Sequence, residues 1–210
     1  LTKTNASIDV VDYSYLASGK GIIVDMNVAS EDDTILNKGQ VNEDGHGGYD
    51  LLYGIEKIIG SKYEDLIIGD TNDNVANVFE GRDGADTIRG GSGDDTLYGG
   101  SGDDTLGGGD GADTLDGGTI GGTIGDTVSY KYLDATSNKV VVDLSQATAT
   151  IYNGVNATTD IDTLINIENI DGSKNDDTIT GNNSDNTILG NVGKDLIYGS
   201  EGKDTIDGGS

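Results

Sequence analysis

One phrase constrains this chain more than any other. Residues 90–116 read "GGSGDDTLY GGSGDDTLG GGDGADTLD", a nine-residue unit repeated three times in succession. Neither a helix (3.6 residues) nor a lone strand (2 residues) has that period, so each unit must hold both a turn and a piece of strand. The register G-x-x-G-x-D-x-(Ile/Leu)-x starts at Gly81, Gly90, Gly99 and Gly108, and again at Gly121 after a duplicated "GGTI". Looser copies start at Gly60 and Gly69, and at Gly172, Gly181, Gly190 and Gly199. The sixth position holds Asp65, Asp86, Asp95, Asp104, Asp113, Asp126, Asp177, Asp195 and Asp204, with Asn at 74 and 186.

Glycines at positions 1, 2 and 4 permit positive φ and close backbone approach. Thr at position 7 and Ile or Leu at position 8 suit a strand, with the position-8 side chain pointing inward. A six-residue turn and a three-residue strand, repeated, make a flat coil with two turns and two strands per 18 residues. Coils stack at the ordinary strand spacing of about 4.8 Å. Turns on one side then come from every second unit, which places Asp86 over Asp104 and Asp95 over Asp113. Carboxylates about 5 Å apart repel by roughly 1–3 kcal/mol at effective dielectrics between 80 and 20. A divalent cation between turns reverses that sign. Hard oxygen donors without His or Cys select Ca²⁺ over Zn²⁺.

The whole composition agrees. The 210 residues carry 38 acidic against 12 basic side chains, a formal charge of −26. That charge disfavours nucleic acid and anionic membranes as partners. Cysteine is absent, so disulfides and thiolate metal sites are excluded. No apolar run is long enough for direct membrane insertion as a helix. The sequence breaks off at "DGGS", inside a repeat, and reads as a piece of a longer protein.

The unit "GGSGDDTLY" resembles the glycine- and aspartate-rich nonapeptide of the RTX (repeats-in-toxin) family, whose calcium role is general knowledge of the motif. The resemblance implies an all-β fold, a parallel β-roll, with several Ca²⁺ ions between same-side turns. It assigns as ligands the carboxylates of Asp86, Asp95, Asp104, Asp113 and Asp126, then Asp65, Asp177, Asp195 and Asp204. Turn carbonyls at Gly84, Gly93, Gly102, Gly111, Gly193 and Gly202 complete the set. It also implies export by a type I secretion channel and an extracellular or cell-surface location on a Gram-negative bacterium. The chain is expected to stay unfolded at low cytosolic Ca²⁺ and to fold at millimolar Ca²⁺ outside.

Between the repeats lies a second duplication. "VDYSYLASGKGIIVDMN" at 11–27 matches "VSYKYLDATSNKVVVDLS" at 128–145, and "DLLYGIEKIIGSKYEDLIIGD" at 50–70 matches "DTLINIENIDGSKNDDTITGN" at 162–182. The expected organisation is a strand-rich connector (1–59), a first roll block (60–126), a second connector (127–171) and a second block (172–210). Tyrosines 13, 15, 130 and 132 read as packing of the connector strands. Residues 30–49 read as a solvated surface loop, with an extra Ca²⁺ position at its acids Glu31, Asp32, Asp33, Glu43 and Asp44, together with Asp50, as the alternative. His46 is the only histidine. Neither a nucleophile elbow nor HExxH is present, so no enzyme is expected. The expected role is structural, in a surface-layer protein or an adhesin that contacts neighbouring copies or other surface molecules. The alternative is an accessory module of a secreted enzyme or toxin, binding polysaccharide.

Overall fold

A computed structural model describes residues 8–16, 21–26, 40–42, 49–52, 54–72, 74–120, 124–133, 138–153 and 160–210. Every helix or strand among them is a strand, numbered β1–β20 along the chain. Strands from alternate units collect into two ten-stranded sheets. The first sheet runs β1 (Val10–Asp12), β5 (Lys57–Ile59), β7 (Val78–Asp83), β9 (Thr96–Gly102), β11 (Thr114–Ile120), β15 (Ile161–Ile165), β14 (Thr148–Asn153), β13 (Asn138–Asp143), β17 (Thr178–Thr180), β19 (Leu196–Tyr198). The second runs β20 (Thr205–Asp207), β18 (Thr187–Leu189), β16 (Asn169–Asp171), β12 (Thr127–Ser129), β10 (Thr105–Asp110), β8 (Thr87–Ser92), β6 (Leu66–Ile68), β2 (Ile23–Asp25), β3 (Gln40–Asn42), β4 (Tyr49–Leu51).

The repeat strands pair in parallel and in register, Thr on Thr and Leu on Leu. Examples are Thr105 on Thr87 with Leu106 on Ile88, and Thr114 on Thr96 with Leu115 on Leu97. This is the two-unit stacking that the nine-residue period requires, and the fold is the expected parallel β-roll. The inward row of position 8 forms the core. Ile58, Phe79, Leu97 and Leu115 of the first sheet and Ile67, Ile88, Leu106 and Val128 of the second are all fully buried. Strand length departs from expectation. Three-residue strands occur in the looser units, but β7 to β11 are six or seven residues long. There the paired glycines of positions 1 and 2 continue the ladder, as in Gly109 on Gly91 and Gly118 on Gly100.

Irregular spacing is absorbed in the turns. Three extra residues between Gly69 and Gly81 lengthen the turn before β7. The "GGTI" duplication lengthens the turn between β11 and β12. The connectors add rungs to the same two sheets: β1 on β5, β2 on β6, β15 on β11 and β16 on β12 are all parallel pairs. The second connector also inserts β13 and β14, which pair antiparallel, and β14 pairs antiparallel with β15. Burial of Tyr13 and Tyr130 agrees with a packing role, whereas Tyr15 and Tyr132 are about half exposed or more.

Core burial fades at the far end of the position-8 row, where Ile197 is only partly buried and Ile206 is 48% exposed. Truncating Leu106 to Ala leaves a cavity between two covered rungs and is expected to cost about 2–5 kcal/mol. Ile206→Ala removes a side chain already half in water and is expected to cost well under half as much. Urea unfolding of both variants in saturating Ca²⁺ checks this; equal losses would contradict the position-8 core.

Candidate calcium-binding ladders

The repeat carboxylates form two vertical ladders, one along each edge of the roll. In each, Oδ1 of a position-6 aspartate accepts the backbone N–H of the position-6 residue one coil earlier. Along the first ladder Asp65 N–H donates to Asp86 (2.7 Å), Asp86 N–H to Asp104 (2.7 Å) and Asp104 N–H to Asp126 (2.8 Å). Along the second, Asn77 N–H donates to Asp95 (2.8 Å) and Asp95 N–H to Asp113 (2.8 Å). Asp86 is therefore over Asp104, and Asp95 over Asp113. In the second block Asp177 N–H donates to Asp195 (2.9 Å) and Asn186 N–H to Asp204 (3.0 Å).

The second carboxylate oxygen separates the sites. Oδ2 of Asp86, Asp104, Asp113, Asp126 and Asp195 is buried and accepts no hydrogen bond. A buried anionic oxygen without a partner is costly, and a cation is the natural partner. Position-1 glycines explain themselves here: a Cβ on Gly81, Gly99 or Gly108 would collide with Oδ2 of Asp86, Asp104 or Asp113. Asp65 and Asp177 differ. Their turns carry Ser61 and Ser173 at position 2. Each serine gives its N–H to Oδ2 (2.7 Å at both) and its hydroxyl to Oδ1 (2.8 and 2.7 Å). These two carboxylates, expected as ligands, are already supplied with donors by the matched "GSK" segments.

The six turn glycines assigned as carbonyl donors, Gly84, Gly93, Gly102, Gly111, Gly193 and Gly202, all have φ between 107° and 154°. They stack as well: a Cβ on Gly102 would run into the Gly84 carbonyl, and one on Gly111 into that of Gly93. Among the described residues no three carboxylates converge on one point. A cation held here would take one or two carboxylates and draw its remaining oxygens from the turns. The acids of the 30–49 loop and His46 lie outside the described residues, as does the Asp50 side chain.

Two register assignments are corrected. Asn74 is exposed with φ 52° and does not occupy position 6. Asn77 does, at 3% exposure, because the three inserted residues precede it in the turn. Likewise Gly117 packs against Asp126 in the position-1 place, and Gly121 lies outside the described residues.

Three ladder features escaped the repeat pattern. Asp162 continues the ladder below Asp113, whose N–H it accepts (3.1 Å). Its signal was "DTL" at 162–164, the same phrase as Asp113-Thr114-Leu115. Its other oxygen takes the buried Tyr130 hydroxyl (3.0 Å), whereas the corresponding oxygens of Asp104 and Asp113 accept no hydrogen bond. Glu168 follows Asp126 and accepts its N–H at 2.9 Å. Position-5 aspartates also bond up the stack: Asp94 to Ala112 N–H (3.0 Å), Asp103 to Gly125 (2.9 Å), Asp176 to Lys194 (2.8 Å) and Asp185 to Lys203 (2.8 Å). The "DD" doublets therefore serve two parallel bonding rows.

Four copies of the RTX calcium-binding nonapeptide repeat are matched by a family profile, over residues 80–115, 166–196 and 180–210. The chain carries RTX repeats. No curated protein matches it. The first stretch covers the strongest part of the ladders, from β7 to Leu115, and the other two cover the second RTX block and the Glu168 rung that precedes it.

Without metal, burial pushes the carboxyls of Asp86 and Asp113 up to about 8 and that of Asp104 to about 6, against the N–H bonds that lower them. The neighbouring carboxylates add to the rise: Asp65 and Asp104 at Asp86, Asp162 at Asp113, Asp126 at Asp104. A carboxyl whose folded value lies above its unfolded value near 4 binds more protons when folded. Stability of the metal-free roll therefore falls as pH rises from about 4 to 8. In chelator, acidification from pH 8 to pH 5 is expected to increase strand content, followed by circular dichroism; a loss of strand over that range would contradict the buried ladder.

Single-residue calcium titrations separate the rungs. Asp104→Ala removes an N–H acceptor and an open oxygen mid-ladder and is expected to raise the Ca²⁺ midpoint for folding several-fold. Asn74→Ala, on an exposed turn, is expected to leave it unchanged. Matching midpoints would mean that the ladder is not where calcium acts.

Proposed function

We propose that this chain is a calcium-folded structural segment of a secreted RTX protein, exported by a type I channel and held at a Gram-negative cell surface. It belongs on this reading to a surface-layer protein or an adhesin and performs no catalysis itself. One observation carries it: five position-6 aspartates keep a buried carboxylate oxygen with no hydrogen-bond donor, three of them, Asp86, Asp104 and Asp126, stacked one coil apart. Such a stack is self-repelling without cations and self-consistent with them. Cytosolic calcium is too scarce to fill it, and external calcium fills it, so folding is deferred until export.

A structural role suits what the roll presents. The rungs repeat with little variation, and RTX turns line both long edges. A rigid spacer that becomes ordered only outside the cell needs nothing more.

Each independent site that binds only the folded chain stabilises it by about 2.7 kcal/mol at a hundredfold excess over its dissociation constant. Several such sites together match the stability of an ordinary small domain, about 5–15 kcal/mol. The chain is expected to be largely disordered in EGTA and strand-rich in millimolar Ca²⁺, with Mg²⁺ a poor substitute because it demands near-octahedral geometry. Far-ultraviolet circular dichroism in the three conditions tests it. A strand spectrum at neutral pH that survives EGTA would end the proposal.

A further inference from the structure

The second sheet carries a feature that the calcium ladders do not use. Position 9 of its rungs faces outward, and the in-register row reads Ile68, Arg89, Gly107, Ser129. Gly107 has no side chain, so the row has a gap beside Arg89. The chain leaving β12 then arches over that gap: Tyr130 N–H bonds to the Asp171 carbonyl (2.8 Å) and Leu133 N–H to the Tyr130 carbonyl (3.1 Å). A cavity of about 370 Å³ results, floored by the glycines of β10 and walled by Arg89, Tyr132 and Leu133. Its size lies at the lower end of the range for small-molecule pockets, roughly 300–1,000 Å³.

Arg89 is unusual in so acidic a chain. Its guanidinium lies flat against the Tyr132 ring, 3.3 Å from the ring centre. It makes no ion pair among the described residues, and its Nε–H is buried and donates to no acceptor. The Lys131 ammonium lies 4.9 Å from the centre of the same ring. A planar guanidinium held by a ring matches the geometry of a carboxylate. The other lining groups both donate and accept. Asn72 is fixed at the rim by two bonds to Asp70 Oδ1 (2.8 and 2.9 Å), and Asp110 lies on the opposite wall. Mixed donors and acceptors around a glycine floor suit a hydroxylated ring rather than an aliphatic acid.

We propose that the pocket between β8, β10 and the 129–133 arch binds a single carboxylated sugar residue. Arg89 receives the carboxylate, Tyr132 holds the guanidinium in plane, and Asn72 and Asp110 take ring hydroxyls. The charge of −26 sets the form of the ligand. One carboxylate close to Arg89 is attracted locally, the Lys131 ammonium being paired with Asp171 (2.8 Å), whereas a long polyanion runs out over the acidic edges and is repelled. Terminal or single units therefore bind in preference to long uronate chains, and added salt narrows that preference by screening beyond about 8–10 Å.

The pocket exists only on the folded roll, so the inference rests on calcium-driven folding. The test is made on the full chain in saturating Ca²⁺, with circular dichroism of the same sample reporting whether the roll is present. If the strand spectrum is absent, the folding proposal has failed; if it is present, the binding result stands alone. D-glucuronate is titrated by calorimetry and by saturation-transfer NMR, beside D-glucose, L-glutamate and inorganic phosphate. Glucuronate is expected to bind at least tenfold more tightly than each of the other three. Arg89→Gln is expected to weaken it at least tenfold, Arg89→Lys by a smaller factor and Tyr132→Ala several-fold, with the Ca²⁺ midpoint for folding unchanged. No binding to the folded wild type overturns the proposal. So does equal binding of glucose, or of phosphate and glutamate, which would make the pocket indifferent to the carboxylate or a general anion trap. Unchanged glucuronate affinity in folded Arg89→Gln also overturns it.

Discussion

The interaction on which the rest of the roll depends is a single bond repeated: a buried aspartate oxygen accepts the N–H of the residue at the same position one coil earlier. Asp65 to Asp86 to Asp104 to Asp126 is one uninterrupted run of it. The bond fixes three things together. It sets the vertical register, because sliding a coil by one residue breaks every link. It buries the carboxylate, because the acceptor must sit inside the turn. It also leaves the other oxygen of Asp86, Asp104 and Asp126 buried without a donor. Burial and open valence are two results of one geometry.

Calcium dependence follows from that geometry with little further design. The apolar layer is one side chain deep: Ile67, Ile88, Leu106 and Val128 against Ile58, Phe79, Leu97 and Leu115. Such a core cannot by itself hold a column of buried charge. Protons neutralise the column in acid, which is why burial raises Asp86 and Asp113 so far. Cations neutralise it at neutral pH. Where the chain must turn without a cation it substitutes neutral donors, and does so in two ways. Ser61 and Ser173 supply hydroxyl and amide donors at the first RTX turn of each block. Tyr130 reaches Asp162 where the roll passes into the inserted hairpin. Both devices sit next to connector strands, so the boundaries of the roll are held by permanent donors, while its interior leaves carboxylate oxygens open for cations.

Much of this was legible in the sequence because the repeat acts at fixed distance. Asp86 over Asp104 and Leu106 beside Ile88 are consequences of eighteen residues per coil, and no tertiary information was needed to place them. The register failures have one physical source: a turn can lengthen without disturbing the strands it joins. Counting nine from Gly69 reached Asn74, but the chain stores the three extra residues in the turn and resumes the ladder at Asn77. The duplicated "GGTI" is stored in the same way before Asp126. Larger detours hide more. Asp113 meets Asp162 forty-nine residues later, and Asp126 meets Glu168 after forty-two. A periodic reading has no means of seeing across such gaps, although "DTL" recurs on both sides of the first. Strand length was underestimated for a different reason. Glycines have low strand propensity, yet Gly91, Gly100, Gly109 and Gly118 pair because stacked identical turns bring their backbones together.

The connectors illustrate how a repeat fold acquires individuality. A regular coil is nearly identical on every rung, and its faces carry rows rather than sites. Inserting β13, β14 and the 129–133 arch breaks the translation at one place and closes a cavity over a face that was flat. The only prerequisite in the repeats was variation at position 9, which points outward and bears no load in the ladders. Arg89 and Gly107 occupy adjacent rungs of that row; the ladders do not use the Arg89 side chain, whereas a Cβ at Gly107 would run into the Ser129 carbonyl of the next rung. Position 6 is bound by electrostatics and position 8 by packing, so chemical novelty on a β-roll accumulates at position 9 and in the detours between rungs. That division lets the ladders fold the chain while the outer row is free to recognise something else.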